Sequence, residues 1–198
     1  MKRIAGMAAH HLILGKLEDF ITGETLADTF DERIRQKIAR ILVEDKGYAK
    51  EEIEVRRNIH LVVDGKMGIS LVDFLLKIDN RAFGIIIFGP GSLVSRERST
   101  IAAARLVEDY EVPVAIITNG EDAEIMETKS GRIIARGVDA IPSKEDARKI
   151  ISNTEFNKIS EERLDKERRI LYVFDVLTQK ECDDFTCSMP LPPGTGKK

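Results

Sequence analysis

The sequence predicts one α/β domain, a mixed sheet of about five strands with helices on both faces. Three features predict it. The runs Phe83 to Phe88 and Val112 to Thr118 are almost continuously apolar, as strands buried on both faces are. Between them, from about Arg96 to Asp109, Ile101, Ala104, Arg105 and Val107 mix packing with charge at helical spacing, which supplies the crossover that a parallel pair requires. Upstream, extended stretches broken by Asp64-Gly65 and by Asp79-Asn80-Arg81 read as an antiparallel meander.

Taken in order, Leu17 to Thr22 reads as a short amphipathic helix stopped by Gly23. Thr29, with Glu32 three places on, has the form of a capping box. Ile34, Ile38, Ile41 and Leu42 then share one helical face, so a helix is expected from about Asp31 to Lys46, closed by Gly47. Ile53 to Val63 and Gly68 to Ile78 are the two strands of the meander, and Phe83 to Phe88 is its third. Ala123 to Glu127 and Arg132 to Ala135 form a hairpin around Ser130-Gly131. Ser143 with Asp146 caps a helix to about Ser152, and Glu161 to about Leu177 is the last helix. The Pro- and Gly-bearing tail from Met189 is expected to be disordered. This divides the chain into an extension (1–28), a core (29–142), a helical extension (143–188) and a tail (189–198).

Composition narrows the function. With 42% hydrophobic and 33% charged residues the chain has a soluble protein's balance. Its net charge of −3 lacks the basic excess that a surface wrapping a long duplex usually carries, and so counts against one. Nucleic acid would have to be met by a local basic patch. Cys182 and Cys187 are too few for a disulfide framework and too loosely spaced for a zinc site. Ordinary thiols in a reducing cytoplasm are expected. The opening residues lack a sustained apolar stretch, and no run approaches the ~20 apolar residues of a membrane span, so neither a secretory leader nor a membrane partner is expected.

Three stretches carry a family resemblance. Thr29-Phe30-Asp31-Glu32-Arg33-Ile34-Arg35-Gln36, running on to Gly47-Tyr48 and Glu51-Glu52-Ile53, resembles the opening helix of the type I restriction enzyme R subunit N-terminal domain. Val72-Asp73-Phe74-Leu75-Leu76 resembles that family's strand bearing the first catalytic aspartate. Val112-Pro113 with Ile116-Ile117-Thr118-Asn119-Gly120-Glu121 resembles its late strand and Thr-Asn-Gly turn. The similarity runs from Thr29 to Met126, and the remainder is similar to a small stand-alone archaeal-type branch. The resemblance implies a three-layer restriction-endonuclease-like fold of the PD-(D/E)XK superfamily, and a Mg²⁺-dependent nuclease ancestry.

The departures are as informative. Active members end the strand after the aspartate in an acid, a spacer and a lysine; two carboxylates hold Mg²⁺ and the lysine offsets transition-state charge. Here that strand reads Gly84-Ile85-Ile86-Ile87-Phe88-Gly89-Pro90, with neither acid nor lysine. A rearranged catalytic set would have to come from Asp73, Glu32, Lys77 and Glu97, with Asp73 and Glu32 as metal ligands. Period-two geometry puts Lys77 on the same face as Asp73. Each has a plainer reading too: Glu32 as a helix cap, Lys77 as a solvated strand end, Glu97 as a partner of Arg96 and Arg98. Asp73 has less of one, because aspartate is disfavoured inside an apolar strand.

Where the acid and lysine are missing, a glycine turn follows. Gly89, Gly91, Ser92, Ser95, Arg96 and Arg98 combine open backbone, hydroxyls and guanidiniums at a helix start, a set that suits a phosphate. It is not a P-loop, and a plain chain reversal capped by Ser92 or Ser95 accounts for it as well. His10, His11 and His60 have no ligand spacing, and the charges of Glu161 to Arg169 alternate as on a solvated helix. Three functions stay open. The first is a catalytically degenerate module binding nucleic acid or another phosphate-bearing ligand, with no resident cofactor. The second is an endonuclease that uses Mg²⁺ at a rearranged site. The third is a non-catalytic protein that forms homo-oligomers or docks partners through Ile170 to Val176.

Overall fold

The computed structural model describes residues 12–175. Eight strands and four α-helices follow in the order β1 (Gly15–Glu18), β2 (Thr25–Asp28), α1 (Phe30–Arg40), β3 (Ile53–Val63), β4 (Lys66–Ile78), β5 (Arg81–Phe88), α2 (Glu97–Leu106), β6 (Val114–Thr118), β7 (Ala123–Glu127), β8 (Arg132–Arg136), α3 (Lys144–Ser152) and α4 (Glu161–Asp175). Strands β3 to β8 form one sheet in sequence order. Only β5 and β6 run parallel, joined by α2 as expected; the other neighbours are antiparallel. The sheet has six strands rather than five, because the β7–β8 hairpin pairs onto β6 and extends it.

Two apolar clusters sit on the two sheet faces. Ile38 and Leu42 from α1 and its continuation, with Ala147 from α3, pack on Phe74, Leu76, Ile86 and Ile116. Ile101 to Ala104 of α2 and Leu171 of α4 pack on Val72, Leu75, Ile85 and Ile117. The molecule is therefore three layers thick, with continuously apolar β5 and β6 in the middle.

Residues 17–22 do not form a helix. Gly15–Glu18 is strand β1, paired with β2, and Asp19 turns the chain by accepting the N–H groups of Ile21 (2.9 Å) and Thr22 (2.8 Å). A short acidic side chain that bonds its own backbone competes with helix there. At α1 only half of the expected capping box forms: Thr29 Oγ1 accepts from the Glu32 N–H at 3.1 Å, but the Glu32 carboxylate accepts from Gln36 Nε2 at 2.8 Å. The expected span to Lys46 is completed by a π-turn, Ile41–Asp45, before Gly47 leaves at φ +77°. The Ser143–Asp146 capping box of α3 is reciprocal.

One irregularity shapes the site. In β4, Val72 and Leu75 belong to one cluster while Phe74, Leu76 and Ile78 belong to the other, so side-chain alternation slips once between them. Arg56, at φ +56°, makes the matching break in β3. Asp73 and Phe74 therefore both lie towards α1, and Lys77 lies on the opposite face, contrary to the simple period-two expectation. Cys182, Cys187, His10, His11, Val176, Leu177 and the tail from Met189 fall outside the described residues. Among those described, no helix is long and apolar enough to cross a membrane.

Candidate functional site

The carboxyl ends of the parallel strands β5 and β6 lie beside the first half of α1. Their following loops are tied together: Gly89 donates to the Thr118 carbonyl at 2.9 Å, and Asn119 Nδ2 to the Gly91 carbonyl at 3.3 Å. The Thr118-Asn119-Gly120 turn is held from within. Thr118 Oγ1 accepts the Gly120 N–H at 3.0 Å and donates to the Asp122 carbonyl at 2.7 Å, while Asn119 Oδ1 accepts from Glu121 and Asp122. Gly120 has φ +88°, and a Cβ there would collide with Ile34 Cγ2. Only glycine lets α1 seat so closely on this turn. Lys37 Nζ completes the seat by donating to the Gly120 carbonyl at 3.1 Å.

Asp73 is 3% exposed and fully engaged. Arg35 Nε from α1 donates to its Oδ1 at 2.5 Å, and the Phe88 N–H donates to its Oδ2 at 2.7 Å. The Arg35 guanidinium also lies over the Phe88 ring, 5.2 Å from the centroid. Phe88 thus presents a π-face to a fixed cation. Burial opposes the Arg35 charge, but Asp73, through charge and hydrogen bond, then Glu32 and Asp31, raise its pKa above the ordinary arginine value.

The network continues outward. Glu32 lies 3.7 Å from Arg35 Nη1 and 3.9 Å from Arg56 Nη1. Arg56 donates through both terminal nitrogens to Asp19 Oδ2 at 2.8 Å. Burial pushes the Asp19 carboxyl up, but the Thr22 N–H, Arg56 and Gln36 outweigh it and hold the pKa below the ordinary aspartate value. Two guanidiniums therefore interleave three carboxylates, locking the β1–β2 turn to α1 and β3.

These residues do not fit a Mg²⁺ ion. Mg²⁺ demands near-octahedral oxygen ligation at about 2.0–2.1 Å. Each oxygen of Asp73 already accepts a hydrogen bond, one from a cation, and β5 adds only Phe88. Of the four sequence candidates the structure brings Asp73 and Glu32 together, with Arg35 between them. It separates the others. Lys77 Nζ pairs with Glu54 Oε2 at 2.5 Å on the far face. Glu97 opens α2 against Glu124. Among the described residues no group of three or more His, Cys, Asp or Glu side chains is arranged to hold a metal.

Sequence reasoning missed Arg35, Arg56 and Asp19. Arg35 had a faint signal, since it follows Glu32 by three on the helix. Arg56 had none, because a left-handed arginine in a strand has no sequence signature.

In the glycine loop, Gly91 has φ +90° and Ser95 Oγ donates to the Ser92 carbonyl at 3.1 Å. The Arg96 side chain folds over Gly89, where a Cβ would lie 2.6 Å from Arg96 Cδ. Arg98 is turned away: its Nη2 donates to the buried Glu167 Oε2 of α4 at 2.6 Å. Arg105 and Arg163 reach the same carboxylate, each at 2.9 Å. Gly89, Gly91, Ser92, Ser95 and Arg96 remain at the loop, while Arg98 fastens α2 to α4.

The family model of the type I restriction enzyme R protein N terminus matches residues 30–142, more than half of the chain. No curated protein and no solved structure matches it. The matched span contains the Asp73 strand, its partner helix and the Thr118-Asn119-Gly120 turn, and the chain belongs to the type I restriction enzyme R protein N-terminus family.

Proposed function

We propose that this chain is a non-cleaving member of its family. It is a restriction-endonuclease-like domain whose metal-dependent site is closed by an arginine, and which binds a phosphate-bearing ligand such as nucleic acid through the loop from Gly89 to Arg96. The Arg35–Asp73 pair carries this reading. A divalent ion entering there would have to displace a guanidinium from a buried carboxylate, and breaking such a pair costs about 3–5 kcal/mol. The loop is favoured as the ligand face because it caps the carboxyl ends of the parallel pair, the usual ligand position in open α/β sheets. With net charge −3, long-range attraction to phosphate is weak, so binding is expected to be local and salt-sensitive.

The test is to incubate the protein with duplex DNA, single-stranded DNA and RNA in Mg²⁺ or Mn²⁺, and to follow binding by fluorescence anisotropy at low salt. No strand is cut, at least one polymer binds, and Arg96→Ala weakens that binding. Metal-dependent cleavage that disappears in Asp73→Ala overturns the reading.

A second reading rests on α4. Leu171 is buried, but Val173 and Phe174 are 76% and 62% exposed at the end of the helix. Such a pair suits oligomerisation or partner docking. Sedimentation of the wild type and of Phe174→Ser distinguishes it: a dimer lost in the variant supports docking, and a monomer in both removes it.

A further inference from the structure

Strand β4 pairs with β5 from Phe74 to Ile78, so among the described residues Lys66 to Val72 have β3 as their one neighbouring strand, and β3 is the edge of the sheet. Arg57–Val63 and Lys66–Val72 therefore form a two-stranded ribbon that outruns β5 by roughly 20 Å, at about 3.3 Å per residue. A solvated antiparallel pair turns apolar side chains inward and polar ones outward. This ribbon does not. On its inner face β4 offers Gly68 and Ser70, both buried, opposite Leu61 and Ile59. Helix α4 lies against that face, with Leu171 in the same cluster and Arg169 Nη2 3.1 Å from Asp64 Oδ1 at the ribbon tip. On the outer face Met67, Ile69 and Leu71 stand opposite Val62, His60 and Asn58. Met67 is 82% and Val62 61% exposed, and Ile69 and Leu71 are half-buried. β4 thus gives its large apolar side chains to solvent and its small ones to the core. We infer that this outer face is covered by the same face of a second copy of the chain, the two ribbons running antiparallel about a two-fold axis.

A two-stranded ribbon is marginal by itself, and apolar area left wet forgoes the hydrophobic gain of burying it. A two-fold contact uses one patch twice, so the patch must complement itself. This one does. The apolar strip lies between exposed Lys66 at the tip and Glu24 beside the base, whose side chain is 69% exposed and 3.7 Å from Arg56 Nη2. Antiparallel ribbons carry the tip of each to the base of the other, so each Lys66 meets the other copy's Glu24. The side chains of the outer face include no Lys or Arg, which disfavours nucleic acid as the occupant. Val173 and Phe174 stand about one helical turn from Arg169 and add apolar surface at the same end of the molecule. This dimer is independent of the phosphate-binding loop. It rests on the second reading above only in that the chain self-associates.

Sedimentation equilibrium of the full chain tests this. The wild type is expected to be a dimer at micromolar concentration. Met67→Lys with Ile69→Lys should raise its dissociation constant by about a hundredfold, as the loss of central apolar anchors does. Lys66→Glu should weaken the dimer about threefold at low salt, and adding Glu24→Lys should restore it. That rescue separates the ribbon from the end of α4, where neither residue lies. Met67→Lys alone, at an exposed position, serves if the double variant does not fold. A dimer that survives the ribbon variants but is lost in Phe174→Ser overturns the inference and leaves the α4 reading standing. A monomeric wild type overturns both, and if its binding to duplex DNA falls in Met67→Lys with Ile69→Lys, the face belongs to nucleic acid instead.

Discussion

A buried carboxylate is tolerated only if it is paired, because an isolated charge in the interior costs several kcal/mol. Asp73 meets this requirement with Arg35 and the Phe88 amide, and these contacts engage both of its oxygens. Arg35→Ala is expected to destabilise by about 3–5 kcal/mol, since it leaves the carboxylate buried without its cation. Adding Asp73→Ala should restore part of the loss, and a double-mutant cycle in urea measures the coupling. Additive losses would show that the pair is not coupled. Glu167 makes a parallel case. Burial raises its pKa, but hydrogen bonds from Arg163 and Arg98 and the charge of Arg105 hold it below the ordinary glutamate value. A depressed folded pKa contributes stability above the unfolded value of about 4.3, lost as pH falls through the folded value. Urea unfolding against pH should therefore show Glu167→Gln losing its disadvantage at the acid end. Asp73 stood out in the sequence as an acid within an apolar strand. Its partner did not, because an arginine on an exposed-looking helix turn is ordinary until the fold shows what it faces.

Elements differ in how much of their structure the residues announce. The central strands were legible because buried parallel strands leave continuous apolar runs, and the crossover helix followed from them. Leu17 to Thr22 was misread as helix because so short a stretch cannot show a period; its first two residues belong to β1. The local hydrogen bonds of Asp19, not propensity, decide that turn. Lys77 was misplaced because the slip at Arg56 and Asp73 breaks the alternation on which the face assignment relied. The two loop glycines are expected to separate by mutation. Gly120→Ala meets Ile34 at a left-handed position and should cost about 2–4 kcal/mol by thermal unfolding. Gly89→Ala meets only the flexible Arg96 side chain and should cost under about 1 kcal/mol. Equal costs would contradict the close seating of α1 on the Thr118-Asn119-Gly120 turn.

At the scale of the whole molecule, the three layers position α1 against the carboxyl ends of β5 and β6, and that placement brings Arg35 onto Asp73. The sheet has six strands against the expected count of about five: both strands of the β7–β8 hairpin join the four before them, and a hairpin gives no sign in the sequence of whether it joins a sheet or stands apart. The absence of any acid or lysine from Gly84 to Pro90 was plain in the sequence; the guanidinium held against Asp73 was not. Titration of Mn²⁺ into the wild type and Asp73→Asn, followed by calorimetry and by the electron paramagnetic resonance of free Mn²⁺, tests that substitution most directly. The two proteins should give the same weak, non-saturating signal. A saturable Mn²⁺ site in the wild type that Asp73→Asn abolishes would contradict the account.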